Sequence, residues 1–381
     1  MLDSIYETEE HQAFRDQIRR FVASEVRPNI PGWEETGALP RKLFRKMGAL
    51  GFLGVRYPES FGGAEMDTFG SVVLAEELGR SGLSGFAIST LVHTDMASPH
   101  LERYGTEEQK RQYLPAIIAG ETVTAVAVTE PGAGSDVASI TSRAEKRGNG
   151  WVLNGTKMFI TNGVLGDLYF VAAKTDPDVK SSRGMSMFIV EKGTPGFTVA
   201  KQLDKMGWRC SDTAELVFDD VELTADALLG SEGRGFYQIM DNFQNERLVI
   251  GAMAVGEAER ALEITLEYVR DRKAFGGSLW DKQALRQKLA QCAGRCEAVK
   301  RLVHHTAWLD AQGRDCVREV SMIKVEAAGM LQQVVYDCQQ LHGGAGYMHG
   351  MEIERLYRDA RVQAIGGGAS EVMLEEVAKR L

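Results

Sequence analysis

The sequence is 381 residues long, carries a formal net charge of −9 at pH 7, and is 44% hydrophobic and 25% charged. This length exceeds the size at which a single hydrophobic core usually stops growing, so we expect two or three packed domains. Basic residues are scattered rather than clustered, which argues against nucleic acid as a partner. No apolar run approaches the roughly 20 residues that span a bilayer, so we expect no integral membrane segment.

The cysteines and the N-terminal segment indicate the cellular compartment. Five dispersed cysteines are too few for a disulfide framework and are typical of a reducing environment. The Cys292/Cys296 pair has helical spacing but no nearby histidine, so we interpret it as two buried thiols and expect no metal site. The N-terminal segment MLDSIYETEEHQAFRDQIRRF is acidic and amphipathic, unlike a signal or transit peptide. We expect a cytoplasmic protein of bacterial type, with a trimmed mitochondrial chain as the alternative.

Helical periodicity dominates the first third of the chain. Apolar residues such as Phe14, Ile18 and Phe21 recur at a spacing of three to four, which is typical of one face of an α-helix. The pattern predicts an N-terminal helical domain over residues 1–117.

Short strand-like runs, such as those at 122–128 and 185–190, replace the helical pattern in the middle of the chain. These runs predict a central antiparallel β domain over residues 118–222. Asn-Gly pairs supply the positive φ angles that tight hairpins need. Three such pairs predict hairpins in this region: Asn149-Gly150, Asn154-Gly155 and Asn162-Gly163.

Helical periodicity returns after Gly235 and continues to the C-terminus, with a long segment at 317–340. The pattern predicts a C-terminal helical domain over residues 223–381. A Walker phosphate loop and a Gly-x-Gly-x-x-Gly fingerprint are both absent from the sequence, which disfavours a Rossmann nucleotide fold. The predicted fold class is therefore mainly α with a β insert.

Two short motifs in the β region are candidate ligand-binding segments. The loop TEPGAGSD at 129–136 places glycines and the Ser135 hydroxyl where backbone amides approach a polar or anionic ligand closely. The segment FITNG at 159–163 puts the Thr161 hydroxyl near an aromatic ring. Each motif alone is compatible with an ordinary turn or strand end. Together, about two dozen residues apart, they resemble the flavin-binding pair of the acyl-CoA dehydrogenase family.

The resemblance continues through RKAFG at 272–276, QLHGGAGY at 340–347 and RDA at 358–360, and covers essentially the whole chain. It implies the acyl-CoA dehydrogenase fold with a C-terminal four-helix bundle, FAD as cofactor, an electron-transferring flavoprotein as acceptor, and a homotetramer. The activity it implies is α,β-dehydrogenation of an acyl-CoA thioester, in which hydride leaves the β-carbon for flavin N5.

In the family, RKAFG with Gln283 reaches the FAD of a neighbouring subunit, and QLHGG meets its adenine end. Arg272 inherits a phosphate-binding role that suits the planar donors of arginine. His342 has no evident carboxylate partner, so we predict a structural or adenine-side role for it rather than catalysis. The residues that the resemblance assigns to the cofactor are Val126, Val128, Thr129, Gly134, Ser135, Phe159, Ile160, Thr161, Arg272, Phe275, Gln283, Gln340, Leu341, Gly343, Gly344, Ala369 and Glu371.

The reaction needs a carboxylate that removes the α-proton, and its position in this sequence is unusual. Most family members carry this glutamate in a C-terminal loop that reads Tyr-Glu-Gly-Thr, whereas this chain has Gly367 at that position. Glu246 falls where the long-chain and isovaleryl branches carry a relocated glutamate. We therefore predict Glu246 as the base and the backbone N–H of Gly367 as a donor that polarises the thioester carbonyl.

Three alternatives remain open from the sequence. Glu246 could be an exposed helix residue beside Arg247, the chain could be a non-catalytic flavoprotein, or it could be a flavin oxidase of the same fold. The oxidase would need a carboxylate at position 367. This chain has a glycine there, so the sequence disfavours the oxidase.

The same C-terminal loop indicates the substrate. Gly366 replaces a tyrosine that walls the pocket in relatives, and Ala369 lacks a hydroxyl that usually touches the flavin. A widened pocket favours long-chain or branched acyl groups. The residues predicted to contact the substrate are Ser135, Tyr237, Arg247, Gly366, Gly367 and Gly368.

Overall fold

The computed structural model describes residues 5–179 and 182–381. Helices come first, a β-sheet follows, and helices complete the chain, which confirms the predicted fold class. In the described part of the chain, no helix is both long enough and apolar enough to cross a membrane. The domain boundaries at 117/118 and 222/223 stay predictions.

Helix α4 is the centre of the N-terminal region, because it is buried on every face. It packs against α1 on one side and against helices of the C-terminal region on the other. A π-helical segment, Val92–Ala97, connects the helix that ends at Leu91 to the helix that begins at Pro99. The helices of this region are α1 (Glu9–Phe21), α2 (Ile30–Thr36), α3 (Arg41–Ala49), α4 (Thr68–Gly79), α5 (Ser84–Leu91), α6 (Pro99–Tyr104) and α7 (Glu107–Ile118).

The middle region is a twisted sheet whose strand order is β6-β7-β3-β2-β4-β5-β8, with β1 paired to β4. Most neighbours are antiparallel, as predicted, but β1 runs parallel to β4, and β2 meets β4 in one parallel pair. The strands are β1 (Thr124–Ala127), β2 (Arg143–Arg147), β3 (Gly150–Thr161), β4 (Leu168–Lys174), β5 (Met185–Glu191), β6 (Phe197–Gln202), β7 (Thr213–Leu223) and β8 (Leu228–Leu229).

Only one of the three Asn-Gly pairs lies at a hairpin. Asn149-Gly150 ends the tight turn between β2 and β3, as predicted. The prediction for Asn154-Gly155 was wrong, because this pair lies inside β3 at a register shift against β7. Asn162-Gly163 forms a turn that leaves β3, and Asn162 has a φ of 59°. Positive-φ residues therefore also mark a bulge and a strand exit, which the dipeptide alone does not distinguish.

The C-terminal region is built around α8, α9 and α10, which pack on one another, while α12 packs on α10. Helix α8 is 37 residues long and also contacts α4, so it belongs to the core of both helical regions. All five cysteines are buried and form no disulfide. The elements are α8 (Gly235–Asp271), β9 (Lys273–Ala274), β10 (Gly277–Ser278), α9 (Gln283–Ala311), α10 (Val317–His342), α11 (Glu352–Ala360) and α12 (Ser370–Ala378).

Candidate active site

The loop at 129–136 follows β1 and is anchored from beneath by a buried carboxylate. Glu130 accepts hydrogen bonds from Lys157 Nζ at 2.7 Å, from the Thr141 backbone N–H at 2.6 Å and from that of Ser142 at 3.0 Å. Burial acts to raise the pKa of Glu130, but Lys157 and these donors lower it to about 2. A Cβ placed on Gly134 would meet open space. The loop is therefore fixed on its inner side and open on its outer side.

The strand end at 159–163 lies directly beside this loop. The Met158 N–H donates to Thr129 O at 2.9 Å, which joins β3 to the end of β1. Asn162 is fully buried and donates from Nδ2 to Ser89 O at 2.9 Å and to Thr124 O at 3.2 Å. Phe159, with a φ of 62°, remains 66% exposed. The structure thus brings the two motifs together and leaves an aromatic ring facing outward.

The surface formed by these two motifs fits a flat ligand with polar edges. Val126 and Val128 are half-buried. In the described part of the chain, the side-chain hydroxyls of Thr129, Ser135 and Thr161 make no hydrogen bond to another residue. Apolar walls with a few free polar groups are typical of cofactor pockets. The residues present therefore fit the isoalloxazine of FAD.

A second set of predicted cofactor residues lies at the ends of α8 and α10. Phe275 is 92% exposed and has a φ of 52°. Arg272 is exposed, and its guanidinium has no ion-pair partner among residues 5–179 and 182–381. Gln283 begins α9. Gly343 has a φ of 58°, and an added Cβ would meet nothing there. These groups are available to a ligand or to another chain.

His342 joins the end of α10 to the end of α8, the two places where this second set of residues lies. Its ring stacks on Tyr268 at 4.3 Å, and Tyr268 Oη donates to the His342 carbonyl at 3.2 Å. The Arg272 N–H donates in turn to Tyr268 O. Burial lowers the pKa of His342. Its packing supports the predicted structural role. Within the described ranges, no hydrogen bond, ion pair or ring contact joins this set to the motifs at 129–136 and 159–163.

The remaining cofactor assignments lie beside these elements. Ile160 is buried in the sheet, Leu341 is buried at the end of α10, and Gln340 and Gly344 are exposed there. Ala369 precedes α12 and provides no side-chain cap, and Glu371 is exposed in the first turn of that helix.

Glu246 lies on the buried face of α8, in the N-terminal third of the helix, and is only 8% exposed. The alternative of an exposed helix glutamate is therefore wrong. Burial raises the pKa of its carboxyl to about 7, against the opposing effects of an Asn242 hydrogen bond and the Arg247 charge. Arg247 makes no ion pair with Glu246, and its guanidinium lies 5.1 Å from the centre of the Phe243 ring. The carboxyl can therefore exchange a proton near neutral pH.

The glycine loop at 366–368 lies on the same side of α8. Gly367 has a φ of 66°, and a Cβ placed on it would lie 2.7 Å from Ile250 Cδ1. Ile250 is one helical turn after Glu246, so the carboxyl and the loop share one face of α8. The buried Lys324 ammonium donates to the carbonyls of Gln363 and Gly368, the latter at 3.1 Å. Lys324 therefore holds the loop from below.

Two further predicted substrate residues are accessible. A Cβ on Gly366 would approach nothing closer than 3.8 Å, so the space that a larger side chain would occupy is open. Tyr237 lies in the first turn of α8, partly exposed, with the Arg234 guanidinium 4.4 Å from its ring centre. The neighbouring Gly368 has a φ of 105°.

Sequence reasoning missed four residues that hold the site together: Glu130, Lys157, Lys324 and Asn242. A signal was available for Lys324, since a lysine between Val320, Ile323 and Ala327 on an apolar helix stripe is unusual. Asn242 is four residues before Glu246, a spacing that places two side chains in contact on a helix. The partners of Glu130 and Lys157 depend on strand pairing and have no local signal.

Comparisons with known proteins agree along the whole chain. Family models match the N-terminal, middle and C-terminal domains of acyl-CoA dehydrogenases at residues 8–121, 125–221 and 233–381. The mitochondrial long-chain specific acyl-CoA dehydrogenase of Sus scrofa is 41% identical over 98% of this chain and 86% of its own.

Solved structures give the same result. The crystal structure of an acyl-CoA dehydrogenase from Geobacillus kaustophilus superposes with a TM-score of 0.95 at 42% identity and covers 99% of both chains. An FAD complex of PigA superposes with a TM-score of 0.95 at 28% identity over 99% of both chains. The chain therefore belongs to the acyl-CoA dehydrogenase family of FAD-dependent oxidoreductases.

Proposed function

We propose that this chain dehydrogenates the α,β bond of an acyl-CoA thioester to the trans-2-enoyl-CoA, with Glu246 as the general base. The observation that supports this most directly is the buried Glu246 carboxyl on the face of α8 that also meets the side-chain-free Gly367. This chain therefore has a carboxylate, that of Glu246, beside a C-terminal loop that carries no carboxylate at position 367. A chain that had lost the dehydrogenation activity would need neither the buried Glu246 carboxyl nor its position beside Gly367.

The residues around Glu246 are suited to proton abstraction. A base is most effective when its pKa is near the working pH, and burial brings the pKa of Glu246 to about 7. Gly367 offers a backbone N–H, and this donor would polarise the thioester carbonyl as negative charge develops. When bound, FAD supplies the acceptor for the hydride equivalent that leaves the β-carbon.

The two sets of cofactor residues support a site shared between subunits. Val126, Thr129 and Phe159 would hold the flavin of their own chain, whereas the exposed Arg272 and Phe275 would reach that of a neighbour. Free guanidinium donors suit a pyrophosphate. We infer a homotetramer on the family pattern and an electron-transferring flavoprotein as acceptor. Light scattering that showed a monomer with full flavin occupancy would contradict this arrangement.

We infer long-chain or branched acyl groups as substrates, since the space beside Gly366 is open. Ser135, Tyr237 and Arg247 would line the path of the acyl-CoA. A cavity of about 100 Å³ lined in part by Asp95 and Asn245 has a largely polar lining that suits an alkyl chain poorly. The acyl group is therefore assigned to the side of Gly366.

The decisive experiment is anaerobic reduction of the bound flavin by a panel of acyl-CoA thioesters, comparing the native enzyme with Glu246→Gln. The variant keeps the size of the side chain but removes the proton acceptor, so FAD and acyl-CoA binding are expected to persist. Flavin reduction is expected to fall by about 10² to 10⁴-fold.

Glu257→Gln is the matched control, because Glu257 is another buried glutamate of α8. We expect it to reduce flavin at a rate close to native. Native-rate reduction by Glu246→Gln would refute the assignment of the base. Oxygen consumption during turnover would identify the oxidase alternative instead, and a flavin that no acyl-CoA bleaches would identify a non-catalytic flavoprotein.

A further inference from the structure

The π-helical segment Val92–Ala97 is followed by Pro99, and this proline frees a backbone acceptor. Pro99 has no N–H, so the carbonyl of Asp95 cannot receive the hydrogen bond that the fourth residue onward gives in an α-helix. That carbonyl instead accepts from two amides of α8, Asn242 Nδ2 at 3.1 Å and Asn245 Nδ2 at 3.0 Å. The Asp95 carbonyl is therefore hydrogen-bonded to two side chains of α8.

The Asn242 amide is surrounded by acceptors. Its Nδ2 lies 3.2 Å from Met96 O and 3.0 Å from Glu246 Oε1, in addition to the Asp95 carbonyl, so its two hydrogens are shared among three acceptors. The side chain is fully buried, and its Oδ1 has no partner in the described part of the chain. Exchanging the nitrogen and oxygen would set Oδ1 against the carbonyls of Asp95 and Met96, which cannot donate, so the orientation of the amide is fixed.

We propose that Asn242 is a positioning residue for Glu246: its amide, fixed by the carbonyls of Asp95 and Met96, orients the carboxyl and favours its ionised form. An N–H donor stabilises a carboxylate more than a neutral acid. This inference rests on the proposed function, because positioning matters to the reaction only if Glu246 is the base. Asn242 itself is not placed in contact with substrate or cofactor.

The charged groups around Glu246 show why a neutral donor is effective here. Burial raises the pKa of the carboxyl, and the Asp95 carboxylate, held by Ser71 and Thr94 hydroxyls, raises it further. Arg247, on the same helix, lowers it. From α10, the Lys324 ammonium faces Arg247 and the glycine loop. Asn242 therefore opposes burial without adding another charge.

The test is the Asn242→Leu variant, which keeps the branched shape and the number of side-chain heavy atoms but has no donor. We expect the Glu246 carboxyl to titrate about one pKa unit higher. Flavin reduction would then be about tenfold slower at pH 6 and close to native at pH 9, with little change in KM. Infrared difference spectra against Glu246→Gln in each background measure the carboxyl titration directly, without turnover.

Asn245→Leu is the matched control, because Asn245 binds the same Asp95 carbonyl, and the Asp95 carboxylate at 3.3 Å, but does not contact Glu246. In this variant the Glu246 carboxyl is not expected to titrate at a higher pH than in the native enzyme, because a less ionised Asp95 would shift its pKa downward if at all. If Asn242→Leu does not fold, Asn242→Ser retains a shorter donor and is expected to show a smaller shift in the same direction.

An unchanged Glu246 titration in Asn242→Leu, or an equal shift in Asn245→Leu, would overturn the proposal. Failure of the proposed function has a different signature. In that case Glu246→Gln would reduce flavin at the native rate, while the infrared titration would still report whether Asn242 acts on the carboxyl.

Discussion

The turn of α8 around Glu246 and the glycine loop at 366–368 lie against each other but are built in opposite ways. The helix turn is buried and held by side-chain hydrogen bonds. The loop is largely exposed, has positive φ at Gly367 and Gly368, and is held through its carbonyls by Lys324. On the helix, the Glu246 carboxyl has a raised pKa and a fixed orientation. The glycine loop can offer only backbone groups to the reaction.

The largest expected effect comes from moving the carboxylate from the helix to the loop. In Glu246→Gln, adding Gly367→Glu is expected to leave flavin reduction at least about 10²-fold below native. A glutamate there would require a positive φ and would meet Ile250 Cδ1.

Shortening Ile250 to Ala in the same background is expected to restore part of the rate, because it removes the clash and leaves only the backbone strain. Stopped-flow flavin reduction measures both variants. Full recovery with Ile250 intact would show that the loop accepts a side chain without rearrangement.

The second effect is on stability. The folded pKa of Glu246, about 7, lies above its ordinary value of 4.5. The unfolded chain therefore releases this proton first, and native stability falls as pH rises from about 4.5 to 7. Glu246→Gln avoids this loss, so it is expected to be more stable than native by up to about 3 kcal/mol at pH 8.

The advantage is expected to shrink at pH 5, where the native carboxyl is largely protonated in the folded state. Thermal unfolding at the two pH values measures the difference. An advantage that does not change with pH would mean that Glu246 is not the group that titrates.

A smaller effect is expected from the support beneath the loop. Lys324→Met removes the donor to the carbonyls of Gln363 and Gly368 and leaves them without this partner. Because the Gly367 N–H is then held less firmly, kcat is expected to fall about tenfold with KM less affected.

Lys288→Met is the control. Lys288 lies on α9 at a partly exposed position and forms an ion pair with Asp337 of α10. It is expected to leave kcat close to native. If the two variants behave alike, the contribution of Lys324 is general stability rather than loop position.

The smallest effect concerns the open space beside Gly366. Gly366→Tyr is expected to shift preference toward shorter, unbranched thioesters by a few-fold, since a ring would occupy volume now available to the acyl chain. Rates across a chain-length panel measure the shift. An unchanged profile would place the limit of the pocket elsewhere.

The order of the fold's elements could be predicted because its signals are local, whereas the site residues were assigned by resemblance to the family and stay predictions. Helical and strand periods gave the order of elements, and the motifs at 129–136 and 159–163 are adjacent in the structure as predicted. The base was predicted from the combination of Glu246 with a bare Gly367. Its burial, and with it the raised pKa, depends on packing that the sequence alone does not specify.

What could not be predicted depends on distant partners. The parallel pairing of β1 with β4, the Lys157 contact with Glu130, and the Asn242 contact with Asp95 each join residues far apart in the chain. Asn154-Gly155 shows the opposite error, because a strong local turn signal was overridden by pairing of β3 with β7.

The 37-residue length of α8 has a consequence for how this chain tolerates sequence change. Glu246 and the end of α8 beside Arg272 are separated by about 25 residues of unbroken helix, or about 38 Å. Deleting one residue between them would rotate one end relative to the other by about 100°. A substitution along this rod leaves that geometry intact, whereas a single insertion or deletion between Glu246 and Asp271 would misalign the proposed base and the proposed cofactor contact in one event.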